Sequence, residues 1–135
     1  MKYLIDTNIC IYIMNKRPKG VIQKFKQFDP GEIGVSTITV SELQYGAAKS
    51  TYQKENQLRL TEFLTPLEIA AYDEIAAQTY GAIRAQLERE GRTIGPLDLL
   101  IAAHALSLDI PLITNNPREF KRIKTLTVEN WTQSL

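Results

Sequence analysis

Apolar residues follow two rhythms along this chain, and the two alternate. Short unbroken runs at Tyr3 to Ile5, Ile33 to Ser36 and Ile110 to Thr114 read as buried strands. Between them, apolar residues recur at steps of three and four, the spacing of amphipathic helices. Ile9 to Met14 predicts a first helix, entered at Thr7 or Asn8 as N-cap. Pro18 is placed to open a second, which carries Val21, Ile22, Phe25 and Phe28. Ser36 or Thr37 caps a helix through Ala48, and residues 53–64 form another. Leu67 to Ala71 reads as a further strand. Asp73 caps a long helix to about Glu90, and Gly95-Pro96 begins one that reaches Leu108. Asn115-Asn116-Pro117 is a turn, Arg118 to Ile123 a short helix, and Leu126 to Val128 the last strand. Strands alternating with helices predict an α/β fold, with a mainly parallel sheet covered on both faces.

The length of 135 residues suits a single domain spanning 1–135. A chain of this size buries roughly 70% of its unfolded surface and needs no covalent staple. The net charge of +1 gives no bulk argument for a nucleic-acid partner, so any such argument must be local. Cys10 is the only cysteine, which excludes an intramolecular disulfide and a cysteine-based zinc site. No run approaches 18 apolar residues, and Met1-Lys2 leads straight into a strand without a signal pattern. A soluble, cytoplasmic protein with no membrane association is the expectation.

Candidate chemistry enters with three carboxylates in apolar settings. Asp6 ends the first strand, and open α/β sheets bind ligands beyond the carboxyl ends of their strands. Glu42 lies about one turn into the helix after the second strand, and Asp98 in the first turn of its own. Each has a plain structural reading: an N-cap, an exposed helix position, and an anion at a helix N-terminus. Together they converge on one sheet edge, where like charges 4 Å apart repel by about 4 kcal/mol at an effective dielectric near 20. A hard cation such as Mg²⁺ or Mn²⁺ offsets that repulsion, and can activate water against a phosphodiester. Asn116, at another strand end, offers a neutral oxygen.

The segments that carry these residues, Leu-Ile-Asp-Thr-Asn at 4–8, Ser41-Glu42-Leu43 with Gly46-Ala47, Gly95-Pro96 with Asp98 and Ile101-Ala102, and Thr114-Asn115-Asn116 with Phe120, resemble the PIN-domain nucleases. More closely, the chain resembles VapC-type toxins of bacterial toxin–antitoxin pairs, along essentially its whole length. The resemblance implies a three-layer α/β/α fold and a magnesium-dependent endoribonuclease. It puts the first three acids on Asp6, Glu42 and Asp98, and the fourth acidic position on Asn116, whose neutrality weakens the case for a second ion. Thr114 falls near the metal, and Thr7 and Asn8 become orienters of Asp6. Hydrolysis would follow from in-line attack of water on phosphorus, leaving a 5′-phosphate and a 3′-hydroxyl.

The same resemblance implies a structured RNA substrate, often tRNA cut near the anticodon, with initiator tRNA as the target of the nearest-looking subgroup. It also implies a homodimer and a cognate VapB-type antitoxin whose C-terminal segment covers the site. Locally, Arg118, Lys121, Arg122 and Lys124 surround the turn after Asn116, and Lys16, Arg17 and Lys19 form a second group. Such cations can hold phosphates or can simply be solvated. The apolar faces of the 20–28 and 53–64 helices are read as candidate interfaces. His104, mid-helix among alanines, reads as structural or surface. A haloacid-dehalogenase-like phosphatase needs an acid where Asn8 stands, which counts against that class. The remaining alternative is a non-catalytic module of the same fold that binds RNA or protein.

Overall fold

The computed structural model describes residues 1–132. The last three residues of the expected 1–135 domain lie outside the described residues. Five strands form one sheet: β1 (Tyr3–Ile5), β2 (Ile33–Ser36), β3 (Glu68–Ala70), β4 (Leu112–Ile113) and β5 (Val128–Glu129), in the order β3-β2-β1-β4-β5. Every pairing is parallel, with Leu4 beside both Gly34 and Leu112. The sequence reading of a mainly parallel sheet is therefore correct, and among the described strands it is wholly so.

Helices cover both faces. Strand side chains alternate between them, as a two-sided sheet requires. Ile5 and Ile113 point into one apolar cluster with Ile9, Ile13, Val21, Leu43 and Leu60, under α1 (Thr7–Met14), α2 (Lys19–Phe25), α3 (Thr37–Lys49) and α4 (Gln53–Leu64). Leu4 and Leu112 point into the other with Leu87, Leu99, Ile101 and Phe120, under α5 (Glu74–Arg89), α6 (Pro96–Leu108) and α7 (Pro117–Phe120). The result is the expected three-layer α/β/α sandwich.

Several boundaries differ from expectation. α2 stops at Phe25 rather than Phe28, because Phe28 turns back to meet Tyr3 edge-on and to stack on Trp131. Strand pairing at β4 is confined to Leu112 and Ile113, and β5 begins two residues late, because register is set by its partner β4. α7 ends at Phe120 rather than Ile123. The apolar faces of α2 and α4 are largely spent inside the fold: α2 packs on α1 and α4 on α3 and α1, Val21 and Leu60 are buried, and Phe25 stacks on Phe63 with ring centroids 6.4 Å apart. What they leave outside is Leu58, and Tyr52 just before α4.

The topology fixes where chemistry can occur. The chain leaves β1 for β2 and β3 on one side, then returns to lay β4 and β5 on the other. Adjacent strands whose connections diverge leave a crevice at their carboxyl ends. Here that crevice lies between the ends of β1 and β4, at Asp6 and Thr114.

Candidate active site

Asp6 sits in that crevice and is 5% exposed. It is the N-cap of α1: its Oδ1 accepts the Ile9 N–H at 3.0 Å, and its own N–H donates to the Ile113 carbonyl at 3.0 Å. The expectation that Thr7 or Asn8 caps this helix is corrected, since α1 already includes Thr7. The Ile9 N–H, left free by the helix start, is the one within reach of a carboxylate at residue 6. Burial pushes the Asp6 carboxyl up to about 6; the Asp98 and Glu42 charges push the same way, against hydrogen bonds from Thr114 and Ile9. Thr114 is fully buried, and its Oγ1 accepts the Asn116 N–H at 2.9 Å, so its own proton is free for Asp6.

Asp98 lies in the first turn of α6, where Pro96 supplies a first-turn residue that needs no N–H partner. Its carboxyl is also raised to about 6, by burial first and then by Glu119 and Glu42. Glu42 projects from α3 toward α1, and Thr7 Oγ1 donates to Glu42 Oε1 at 2.6 Å. Thr7 therefore orients Glu42, not Asp6 as expected, because its position in the first turn of α1 faces α3. Asn8 is exposed, and among the described residues no hydrogen bond joins it to Asp6.

Glu119 was missed. Its Oε1 accepts the Gly95 N–H at 3.0 Å, and its Oε2 accepts the Asn116 amide at 2.8 Å. A Cβ placed on Gly95 would lie 3.7 Å from Asp98 Oδ2 and 3.8 Å from Glu119 Oε1, so both carboxylates crowd the start of α6. The fourth acid of the cluster is thus Glu119, and Asn116 is the exposed amide that holds it. A sequence signal did exist: Glu119 is the sole acid between Asp109 and Glu129. Glu119→Gln is expected to move the Asp98 midpoint down from about 6 in metal-free protein, followed by carboxyl NMR titration. An unmoved midpoint would show that Glu119 is electrostatically remote.

The basic residues divide. Arg118 and Lys121 are exposed beside the cluster. Arg122 Nη1 donates to the Thr93 carbonyl at 2.6 Å, which ties the end of α7 to the loop before Asp98 and occupies part of its guanidinium. His104 is 1% exposed and bonded to Ser36 at 2.7 Å, so of its two readings, structural or surface, the structural one holds. A furrow of about 230 Å³ between α1, α3 and α4 opens beside Glu42, lined by Thr7, Ile11, Met14, Ala47 and Leu60.

The donors suit a hard divalent cation: four carboxylates with hydroxyl and amide oxygens beside them, and neither a thiolate nor an imidazole among them. Asp6 and Asp98 are both driven toward protonation by burial and like charge, the electrostatic condition that a cation relieves. In this arrangement, no group of three acidic, histidine or cysteine side chains among the described residues already converges at metal-ligand spacing. Glu42 and Glu119 are instead turned onto protein donors.

Acids gathered at the switch point of a parallel 3-2-1-4-5 sheet define a PIN-type nuclease domain. The PIN domain family model matches residues 3–126. The chain belongs to the PIN-domain family and, within it, to the VapC-type toxins. It is 44% identical over 131 residues to Ribonuclease VapC2 of Haemophilus influenzae, covering 97% of this chain and 98% of the relative. It is 40% identical over 131 residues to the tRNA(fMet)-specific endonuclease VapC of Shigella flexneri, with the same coverage. Among solved structures it resembles VapBC2 from Rickettsia felis bound to a promoter DNA fragment, with a TM-score of 0.90 and 41% identity over 97% of this chain and 99% of that one.

Proposed function

We propose that this chain is the toxin of a toxin–antitoxin pair and acts in the cytoplasm as a Mg²⁺-dependent endoribonuclease, with tRNA, and initiator tRNA in particular, as its substrate. The observation that carries the chemistry is that Asp6, Glu42, Asp98 and Glu119, from four separate elements, border one crevice closely enough for Glu42 and Asp98 to raise the Asp6 carboxyl and for Glu119 and Glu42 to raise that of Asp98. The tRNA target leans on the named activity of relatives such as that of Shigella flexneri.

Asp6, Asp98 and Glu42 would hold the cation, with Glu119 beside Asp98. Bound there, Mg²⁺ would supply Lewis-acid stabilisation of charge on phosphate and a more acidic water. The protein's part is orientation. Thr7 fixes the Glu42 carboxylate, Thr114 holds Asp6, and Asn116 and the Gly95 N–H fix Glu119. Arg118 and Lys121 stand ready to hold backbone phosphates, which positions a strand without reading its sequence.

The partner would be a VapB-type antitoxin, in keeping with the VapBC assemblies among the structural relatives. Its C-terminal segment would lie in the furrow beside Glu42, with a cationic side chain entering the acidic pocket. Exposed Tyr45, Tyr52, Leu58 and Ile75 support a homodimer and further protein contacts.

Purified, antitoxin-free protein is expected to cut total bacterial RNA into discrete fragments with Mg²⁺ and not with EDTA. Metal-free protein should also melt at a higher temperature once Mg²⁺ or Mn²⁺ is added, and Asp98→Asn should lose that gain. Well-folded protein that neither cleaves nor responds to either ion would favour the binding-module reading.

A further inference from the structure

His104 has no place in the chemistry, yet it sits where two acid-bearing helices meet. α6 carries Asp98 in its first turn and His104 about 9 Å further along its axis, at 1.5 Å per residue. The ring is 1% exposed, and its Nδ1 lies 2.7 Å from Ser36 Oγ. Ser36 is itself fully buried, ends β2 and caps α3, its Oγ accepting the Ile38 N–H at 3.0 Å. α3 carries Glu42. The Tyr72 ring meets the imidazole edge-on at 5.5 Å, while the Tyr72 N–H donates to Thr37 Oγ1 at 3.1 Å. Aromatic packing on one side and a hydrogen bond on the other leave the ring little freedom to turn.

An apolar side chain would fill this place without the cost of burying an imidazole. What the imidazole adds is direction. Apolar contact between α3 and α6 lets the helices slide, whereas a buried bond from ring nitrogen to cap hydroxyl specifies one register. We infer that His104 is a positioning residue: its bond to Ser36 sets the separation of Glu42 on α3 from Asp98 on α6. This rests on the proposal that those two carboxylates share a cation.

The test compares wild type with His104→Asn, His104→Gln and His104→Leu. Asparagine places an amide near the Nδ1 position and can keep the Ser36 bond. Glutamine places its amide near Nε2 and loses the bond while staying polar. Mn²⁺ is titrated by the shift in melting temperature, and cleavage of a bacterial RNA pool is followed for kcat and KM. Glutamine and leucine are expected to raise the half-saturating Mn²⁺ concentration about tenfold, in the range typical of lost support around a ligand. They should lower kcat at limiting metal and leave KM for RNA within about twofold, while asparagine stays near wild type. Glutamine and leucine variants that melt early but keep the wild-type Mn²⁺ midpoint would overturn the assignment, leaving His104 a packing residue. Should leucine fail to fold, the contrast between asparagine and glutamine decides alone. A wild type that shows neither a metal shift nor cleavage overturns the functional reading and this inference with it; a responsive wild type beside unshifted variants overturns the inference only.

Discussion

Asp6→Asn is expected to abolish RNA cleavage and, at the same time, to make the metal-free protein more stable at pH 7. The two effects share one cause. Burial and neighbouring acids hold the Asp6 carboxyl at about 6 rather than near 3.8, so its ionised form is costly in the fold. At 1.36 kcal/mol per tenfold change in proton affinity, the penalty above pH 6 is at most about 3 kcal/mol. The folded state binds the proton more tightly than the unfolded chain does, so stability falls as pH rises from about 4 to about 6. Asparagine removes the charge and keeps an Oδ1 to accept the Ile9 N–H, so the cap survives. Denaturant titration should therefore show a gain of about 1–3 kcal/mol at pH 7 that shrinks as pH falls through about 6 toward 4 and vanishes only well below 3.8, where the carboxyl is protonated in both folded and unfolded states. Cleavage should fall by at least about 100-fold, because an ion's stabilisation of transition-state charge is worth several kcal/mol. A variant less stable than wild type at pH 7 would mean that the acidic cluster is not under electrostatic strain.

Phe120→Ala should produce the largest loss of stability. Phe120 is 1% exposed and packs among Leu4, Leu99, Leu112 and Ile123 beneath the sheet. Truncating a buried phenylalanine costs about 3–5 kcal/mol, a large share of the roughly 5–15 kcal/mol that holds a domain of this kind together. The consequence reaches the site, because α7 is only four residues long and has no stability of its own. Phe120 is what pins it, and Glu119 precedes Phe120 directly. Loss of the ring should loosen Glu119 from Gly95, so cleavage should fall even in the fraction that remains folded. Lys121→Ala, exposed and adjacent, serves as control and should change stability by no more than about 0.5 kcal/mol. A Phe120→Ala loss below about 1 kcal/mol would show that this corner repacks freely.

The elements that position the first three acids were readable because each is announced locally. Leu4-Ile5-Asp6 is an apolar run ended by an acid, Ser36 caps a helix that keeps Leu43 and Ala47 on its buried face, and Gly95-Pro96 opens α6. Local signals cannot say which side chains meet across the fold. Thr7 and Glu42 are 35 positions apart, and nothing near Thr7 reveals that its hydroxyl faces α3. Glu119 was overlooked for a related reason. The family resemblance put the fourth acidic position on Asn116, whereas the backbone turn into α7 carries the residue three positions later back onto Gly95. Termini of β4 and β5 were misplaced because strand ends are set by partners, not by the apolar run itself.

The strand order also governs when this protein can begin to act. Asp6 leaves a ribosome well before its partners: its amide bonds to Ile113, and the acids it works beside stand at 98 and 119. At about 5–20 residues per second, those residues follow on the order of 10 s later. Until then β1 lacks its β4 neighbour and the crevice does not exist. A nascent chain that has not yet released β4 and α7 therefore lacks the assembled crevice, and nuclease competence arrives only after residue 119 has emerged.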